Sequence, residues 1–208
     1  MRKLLLPLLV FALVLSSCQD DLTSLNEDPK GASDVPADPL FSNALVSYGT
    51  LNSSVDYNTN IMNQYLPQYW AATTYPDESQ YDLTNRSIPS SYWSEIYRNI
   101  LNDLKEASTI VEGDESIVND AIKQNMQAQI EVVNVMAYYQ LVTTFGNIPY
   151  SEALDPETPS PAYDSQVAIY NDLMSRLNTA ISNLDASVAG FSAASDVFYG
   201  GDVAAWER

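Results

Sequence analysis

The side chains able to do covalent or acid–base chemistry are few in kind. The 208-residue chain has no histidine and one cysteine, Cys18. A Ser-His-Asp triad, a Cys-His pair and a zinc site built on His or Cys are therefore excluded within it. Carboxylates are plentiful, 27 Asp and Glu against 9 Lys and Arg, for a net charge of −18. Two carboxylates facing one another would suffice for glycoside hydrolysis. No spacing selects such a pair, and a solvated acidic face accounts for the excess. No GxGxxG or GxxxxGK[ST] loop occurs, and the acid-rich run Asp20 to Asp28 lacks the alternating ligands and glycine of an EF-hand loop. No metal and no cofactor are expected. The few scattered cations cannot assemble a patch that tracks phosphates, so nucleic acid is not an expected partner. What is enriched is the surface-recognition set: 14 Tyr and 3 Trp with abundant Asn, Gln, Ser and Thr. Flat amphipathic rings beside amides and hydroxyls suit polar, uncharged ligands.

The lone thiol has a context of its own. Arg2 and Lys3 precede an apolar run from Leu4 to Leu15, broken only by Pro7. About a dozen apolar residues fall short of the roughly 20 that span a bilayer. A charged start, a short apolar core and small residues at its end describe a secretory signal that is removed. Leu15-Ser16-Ser17-Cys18 resembles a bacterial lipobox, in which small residues admit the peptidase and the thiol takes the lipid. Residues 1–17 are thus expected to be a lipoprotein signal peptide, with Cys18 lipidated. One acyl chain holds weakly and stable anchoring needs more; the bacterial modification places several on one cysteine. Gln19-Asp20-Asp21 resembles the surface-export signal of lipoproteins in one large Gram-negative phylum. Residues 18–37 carry Pro29, Gly31 and Pro36 and little periodicity, which reads as a tether.

The elements that position the remaining side chains read as helices. Asp38-Pro39 predicts an N-cap and first turn, followed by Leu40, Phe41, Ala44, Leu45 and Tyr48 at helical spacing. Tyr57, Ile61, Tyr65 and Tyr69 repeat at i+4, and Pro67 disturbs the end of that run. Between 70 and 89 the pattern fails, and Trp70, Tyr75 and Tyr81 stand in a long polar loop. The period returns from Ser90 to Val111. Glu112-Gly113-Asp114 stops it. The longest helix is expected from about Ser116 to Phe145. Its second half, Ile130 to Val142, is apolar nearly all round and should run through the middle of the fold. Gly146 is placed to take positive φ at its end, and Pro149 prevents continuation. Asp164 is expected to cap a further helix with Val167, Tyr170, Leu173, Leu177, Ile181 and Leu184 on one face. Gly200-Gly201-Asp202 reads as a turn and N-cap before Val203. No strand pair is convincing. The one turn that follows is too short to be stable alone, so an amino-terminal part of a longer protein is expected. The class is all-α, in antiparallel helix pairs with irregular loops, the helical part covering 38–208.

Ala137-Tyr138-Tyr139-Gln140-Leu141-Val142-Thr143-Thr144-Phe145-Gly146-Asn147-Ile148-Pro149-Tyr150 resembles the signature of the SusD/RagB family, where a long helix with paired aromatics ends in a Phe-Gly-x-Ile/Val-Pro turn. Trp93-Ser94-Glu95-Ile96-Tyr97-Arg98-Asn99-Ile100 resembles the helix before it. Ile169-Tyr170-Asn171-Asp172-Leu173 with Ala180-Ile181 resembles the helix after it, and Gly201-Asp202-Val203-Ala204-Ala205-Trp206 the next helix start. The basic helix that usually follows in the family is absent here. The resemblance implies a scaffold of tetratricopeptide-like pairs with an irregular ligand-binding part. It also implies a lipid-anchored outer-membrane protein at the cell surface, a lid on a TonB-dependent (SusC-like) transporter, capturing oligosaccharide or peptide without catalysis.

For the residues themselves, the candidate ligand platform is Trp70, Tyr75 and Tyr81, with a core role for Trp70 as the competing reading. Trp93, Tyr138 and Tyr139 lie on regular helical faces and are expected to be mostly core. Phe145 to Pro149 is most simply a helix stop. Two other classes of function stay open: a surface glycoside hydrolase using a carboxylate pair, and a tetratricopeptide-like adaptor whose ligand is a protein.

Overall fold

The computed structural model describes residues 35–53 and 64–208. The expected signal peptide, Cys18 and the expected tether up to Asp34 lie outside the described residues, as do Tyr57 and Ile61 of the expected second helix.

Helix α1 covers Ala37–Ser53. It starts two residues earlier than a cap at Asp38, with Pro39 as first helical residue, predicts. Asp38 therefore sits in the first turn, where its carboxylate accepts from the Ser195 hydroxyl instead of capping the chain locally. Three segments then form one rod: α2 (Ile88–Ser94), a seven-residue π-helical stretch (Glu95–Leu101) and α3 (Asn102–Gly113). Pro89 near its start needs no backbone donor there. The π stretch widens the turn, and Ile100 and Leu101, adjacent in sequence, are both fully buried.

Helix α4 runs Asp120–Phe145. It begins four residues later than expected, because the cap is Asn119: its side chain accepts from Ala121 N at 3.0 Å. Asp114 instead holds Ser116 N at 2.8 Å, closing the turn after α3. The expectation for its second half holds. Ile130, Val133, Val135, Ala137, Tyr138, Leu141 and Val142 are all buried, and α4 packs against α1, α3, the π stretch and the next helix, α5 (Gln166–Asn183).

The pairing is antiparallel on both sides of α4. Towards the rod, Lys123 donates to Glu112 O, Gln127 to Ser108 O, and the Tyr138 ring meets Tyr97. The partner numbers fall as α4 advances. Towards α5 the same reversal runs from Asn125 with Asp185, through Glu131 with Arg176, to Tyr139 with Tyr170. The fold is thus all-α in antiparallel helix pairs, as the sequence predicts.

Three local expectations fail. A short strand pair does exist, β1 (Ile148–Pro149) against β2 (Tyr163–Asp164), with Ile148 opposite Asp164 and Pro149 opposite Tyr163. It is only two residues long, below what period-2 alternation can signal. Asp164 belongs to this pair and does not cap α5. Its carboxylate accepts from Tyr150 N (3.1 Å) and Ser151 N (2.8 Å), and these backbone bonds, Ser151 foremost, hold its pKa below the ordinary carboxylate range. The α5 amide at Gln166 is satisfied from a distance, by the Asn147 side chain at 3.0 Å. The buried face of α5 is also turned from the expected one. Ile169, Leu173 and Ala180 are buried, while Val167, Tyr170 and Ile181 are exposed.

The chain closes against α1. Phe191 stacks on Phe41 with ring centroids 4.0 Å apart, and Trp206 of the short helix α6 (Val203–Glu207) lies 6.0 Å from the same Phe41 ring. Asp202 caps α6 as expected, accepting from Ala205 N. Buried Asp196 organises this region, accepting from Phe198 N, Tyr199 N, Gly201 N and Trp206 Nε1. Gly201 has φ +84, and a Cβ there would come within 3.3 Å of Phe191 O, so glycine is required.

Candidate functional site

The segment from Gln64 to Ser87 opens on π-helical backbone at Gln64 and Tyr65, and its one further regular element is a 3-10 turn, Glu78–Gln80. Its order comes from side chains tied to backbone. Tyr69 N and Trp70 N both donate to Gln64 O, at 2.9 and 3.1 Å. Ser79 draws the two limbs together: its hydroxyl accepts from Ala72 N at 2.7 Å, and its carbonyl accepts from Gln68 Nε2 at 2.9 Å. The Tyr81 hydroxyl donates to Leu66 O at 3.1 Å. Asp82 holds Thr84 N and Asn85 Nδ2, each at 3.0 Å, and the bonds from Thr84 keep its pKa below the ordinary value.

Arg86 is the centre of the segment. Its Nη2 donates to Tyr75 O at 3.0 Å and lies 3.3 Å from Asp77 Oδ2, and its guanidinium stands 5.1 Å from the Tyr75 ring centroid. Its Nε is 3.3 Å from Glu78 Oε1. That approach lacks hydrogen-bond alignment, and Glu78 is buried with neither oxygen hydrogen-bonded. One cation thus anchors a ring, a carbonyl and two acids.

The rings are left facing solvent. Tyr69 is 77% exposed, Trp70 50%, Tyr75 70% and Tyr81 60%. The three residues singled out from sequence lie on one ordered loop, but no ring pair joins them. Trp70 is half exposed and does not pack beneath the loop. Gln68, Tyr75, Tyr81 and Ser87 all have positive φ (64°, 57°, 65° and 52°). Left-handed backbone at residues with a Cβ costs about 1–2 kcal/mol each, and such strain concentrates at ligand clamps and switch regions. The arrangement offers stacking faces with hydroxyl, amide and carboxylate groups beside them. Among the described residues no cluster of three or more acids or thiols is placed to hold a metal.

Sequence reasoning missed two members. Tyr69 closes the i+4 run of Tyr57, Ile61 and Tyr65 in the sequence, yet it follows Pro67, which disturbs the end of that run. Arg86 carried a usable signal: it is the only Lys or Arg between Lys30 and Arg98, and a single cation inside an acidic aromatic loop is placed to tie it.

The aromatics of the helical pairs divide differently. Tyr138 is buried, and Trp93 is half-buried against Phe145 (5.0 Å) and Tyr97 (4.9 Å). Tyr139 departs from the expected core placement. It is 44% exposed and meets the equally exposed Tyr170 ring at 6.3 Å, at the solvent edge of the α4–α5 seam. Phe145 to Pro149 does more than stop α4. Gly146 (φ +78) donates to Val142 O, Asn147 caps α5, and Ile148 is fully buried.

Residues 29–208 match the family model of SusD-like proteins, described as "Starch-binding associating with outer membrane". Among solved structures, a SusD/RagB family protein from Bacteroides thetaiotaomicron superposes with a TM-score of 0.63 at 22% identity, over 84% of this chain and 36% of that one. A SusD-like protein from the same organism gives 0.60 at 18% identity, over 83% and 35%. A chitin-binding protein gives 0.58 at 24% identity, over 82% and 35%. The chain therefore spans about a third of the length of these structures, and they establish its fold. No curated protein matches the sequence.

Proposed function

Because this chain belongs to the SusD-like family, whose model is described as starch-binding and associating with the outer membrane, we propose that it captures oligosaccharide at the cell surface for a partner transporter. In this reading Cys18 is lipidated and holds the protein to the outer membrane, and the partner is a TonB-dependent, SusC-like channel to which the ligand is handed. No catalytic residue is assigned.

The observation that carries the reading is the loop with Tyr69, Trp70, Tyr75 and Tyr81 exposed on a backbone fixed by Arg86. Exposed aromatics usually mark a recognition surface when they are clustered and held. Sugar rings present C–H faces to aromatic planes and hydroxyls to amides and carboxylates. A pre-ordered loop loses little entropy on binding. The chitin-binding protein among the structural relatives is consistent with a glycan ligand.

Calorimetry of the mature protein against neutral glycans, acidic glycans and peptides tests this, with product analysis on every hit. Neutral-glycan binding without breakdown is expected. An aromatic contact contributes about 0.5–1.5 kcal/mol, so Trp70→Ala and Tyr75→Ala should each weaken it about two- to tenfold with unchanged melting temperature. Binding of peptides alone would replace the glycan reading, and release of cleaved product would put a carboxylate-pair hydrolase in its place.

A further inference from the structure

Glu78 stands apart within the aromatic loop. Its side chain is 1% exposed, and neither carboxylate oxygen accepts a hydrogen bond. Burying an acid without hydrogen bonds is costly, and replacing a buried ion pair by apolar groups is often neutral or stabilising. Stability therefore does not account for a carboxylate here. Its place does. Glu78 lies three residues after Tyr75 and three before Tyr81, and both of those rings face solvent from left-handed backbone (φ 57° and 65°). Its carbonyl accepts from Tyr81 N at 3.1 Å across the 3-10 turn. Its carboxylate stands 3.3 Å from Arg86 Nε. The same guanidinium donates to Tyr75 O at 3.0 Å and lies 5.1 Å from the centre of the Tyr75 ring. Main chain and side chain of one residue thus reach towards both rings. Asp77 also faces Arg86, at 3.3 Å, but its side chain is 36% exposed. Solvent screens an exposed charge far more than a buried one, so Glu78 holds the guanidinium more firmly.

We propose that Glu78 is the positioning residue of the platform: through Arg86 it fixes the carbonyl and ring of Tyr75, and so presents Tyr75 and Tyr81 to a ligand together. This rests on the reading of the loop as a glycan platform. Glu78 itself touches no ligand, since its oxygens are sealed from solvent. It acts by keeping the binding conformation populated. Without its charge the guanidinium is left with the exposed Asp77 and the Tyr75 carbonyl, and Tyr75 can relax towards ordinary backbone. A ligand then meets an assembled platform in only a fraction of the molecules, and its apparent affinity falls by that fraction. The cost of one left-handed residue bearing a Cβ corresponds to about five- to thirtyfold.

The test compares Glu78→Gln, Glu78→Met and Arg86→Gln with the wild-type full chain, with maltoheptaose and chitohexaose as calorimetric probes. Glu78→Gln should weaken binding about five- to thirtyfold, while the melting temperature holds or rises because a buried acid is gone. Glu78→Met should behave alike, and it decides the matter if Glu78→Gln does not fold. Asp77→Asn should lose less than either. The double variant of Glu78→Gln with Arg86→Gln should bind no more weakly than Arg86→Gln alone, because Glu78 acts through Arg86. A second readout needs no ligand. In proton NMR the Tyr75 ring should shift the Arg86 side-chain signals upfield in the wild type, and that shift should collapse in Glu78→Gln. Wild-type affinity with an unchanged ring shift, additive losses in the double variant, or binding and melting temperature falling together would overturn the proposal. If neither probe binds the wild type, the glycan reading fails and the ring shift alone decides the role of Glu78.

Discussion

Replacing Asp196 with Asn removes a charge without changing shape, and its effect can be worked from the bonds. The two carboxylate oxygens divide four donors: Oδ1 takes Phe198 N (3.1 Å) and Tyr199 N (3.0 Å), and Oδ2 takes Gly201 N (3.0 Å) and Trp206 Nε1 (2.8 Å). An amide keeps one oxygen. Whichever way it turns, its NH₂ faces two donors. Each donor left unpaired in a buried site costs about 1–3 kcal/mol. Allowing for relaxation, Asp196→Asn should lose about 2–4 kcal/mol. For a unit of this size, each kcal/mol shifts the melting temperature by about 2–4 °C, so a fall of about 5–15 °C is expected. Asp202→Asn is the control. It makes the same chemical change at an exposed N-cap, where Asp and Asn are nearly equivalent. Thermal melts of both variants by circular dichroism and tryptophan fluorescence measure the difference. If Asp196→Asn melts within about 2 °C of Asp202→Asn, the four-donor account of this corner is wrong.

Stability should fall at both ends of the pH scale for identifiable reasons. Asp164 has a folded pKa held below its unfolded value by backbone donors. Its contribution is present above the ordinary Asp pKa of about 3.9 and is lost as pH falls through the folded value, so Asp164→Asn should make urea stability fall less steeply below about pH 4. Tyr138 has a pKa pushed up to about 12 by burial. The stability tied to its neutral form is whole below the unfolded value of about 10 and is lost as pH rises towards about 12, so Tyr138→Phe should flatten the alkaline limb. Membrane attachment is tested by Cys18→Ser, which should move the protein from the membrane to the soluble fraction after cell disruption. Unchanged retention would mean that Cys18 carries no lipid.

The helical scaffold was largely legible because its signals are dense. Phe41, Ala44 and Leu45 of α1, and Ile130 to Val142 of α4, repeat at the helical period and are buried as that period requires. The failures lie where a residue's partner is remote in sequence. Asp164 looks like a cap beside a helix, but its ligands are Tyr150 N and Ser151 N, and the true cap of α5 is Asn147. Val167 and Ile181 fit the expected apolar stripe of α5, yet the helix turns Ile169 and Ala180 inward. An isolated amphipathic pattern defines a face only to within a residue or two, and packing against α4 chose between the options. In the loop, Trp70, Tyr75 and Tyr81 were visible as aromatics in a polar stretch. Their exposure was not, since ring burial depends on what the surrounding chain covers.

By itself the sequence determined the all-α class, the positions of most helices, the lack of any histidine and of any cysteine besides Cys18, and the residues from which a platform can be drawn. Those properties follow from composition and local periodicity. The tertiary structure decided what lies between elements: the Arg86 centre that fixes the loop, the Asp196 corner, and the Glu131–Arg176 pair between α4 and α5. Each joins groups whose spacing in the chain carries no period. Arg176 meets Glu131 across 45 residues, and only antiparallel packing of α4 on α5 brings them to one place.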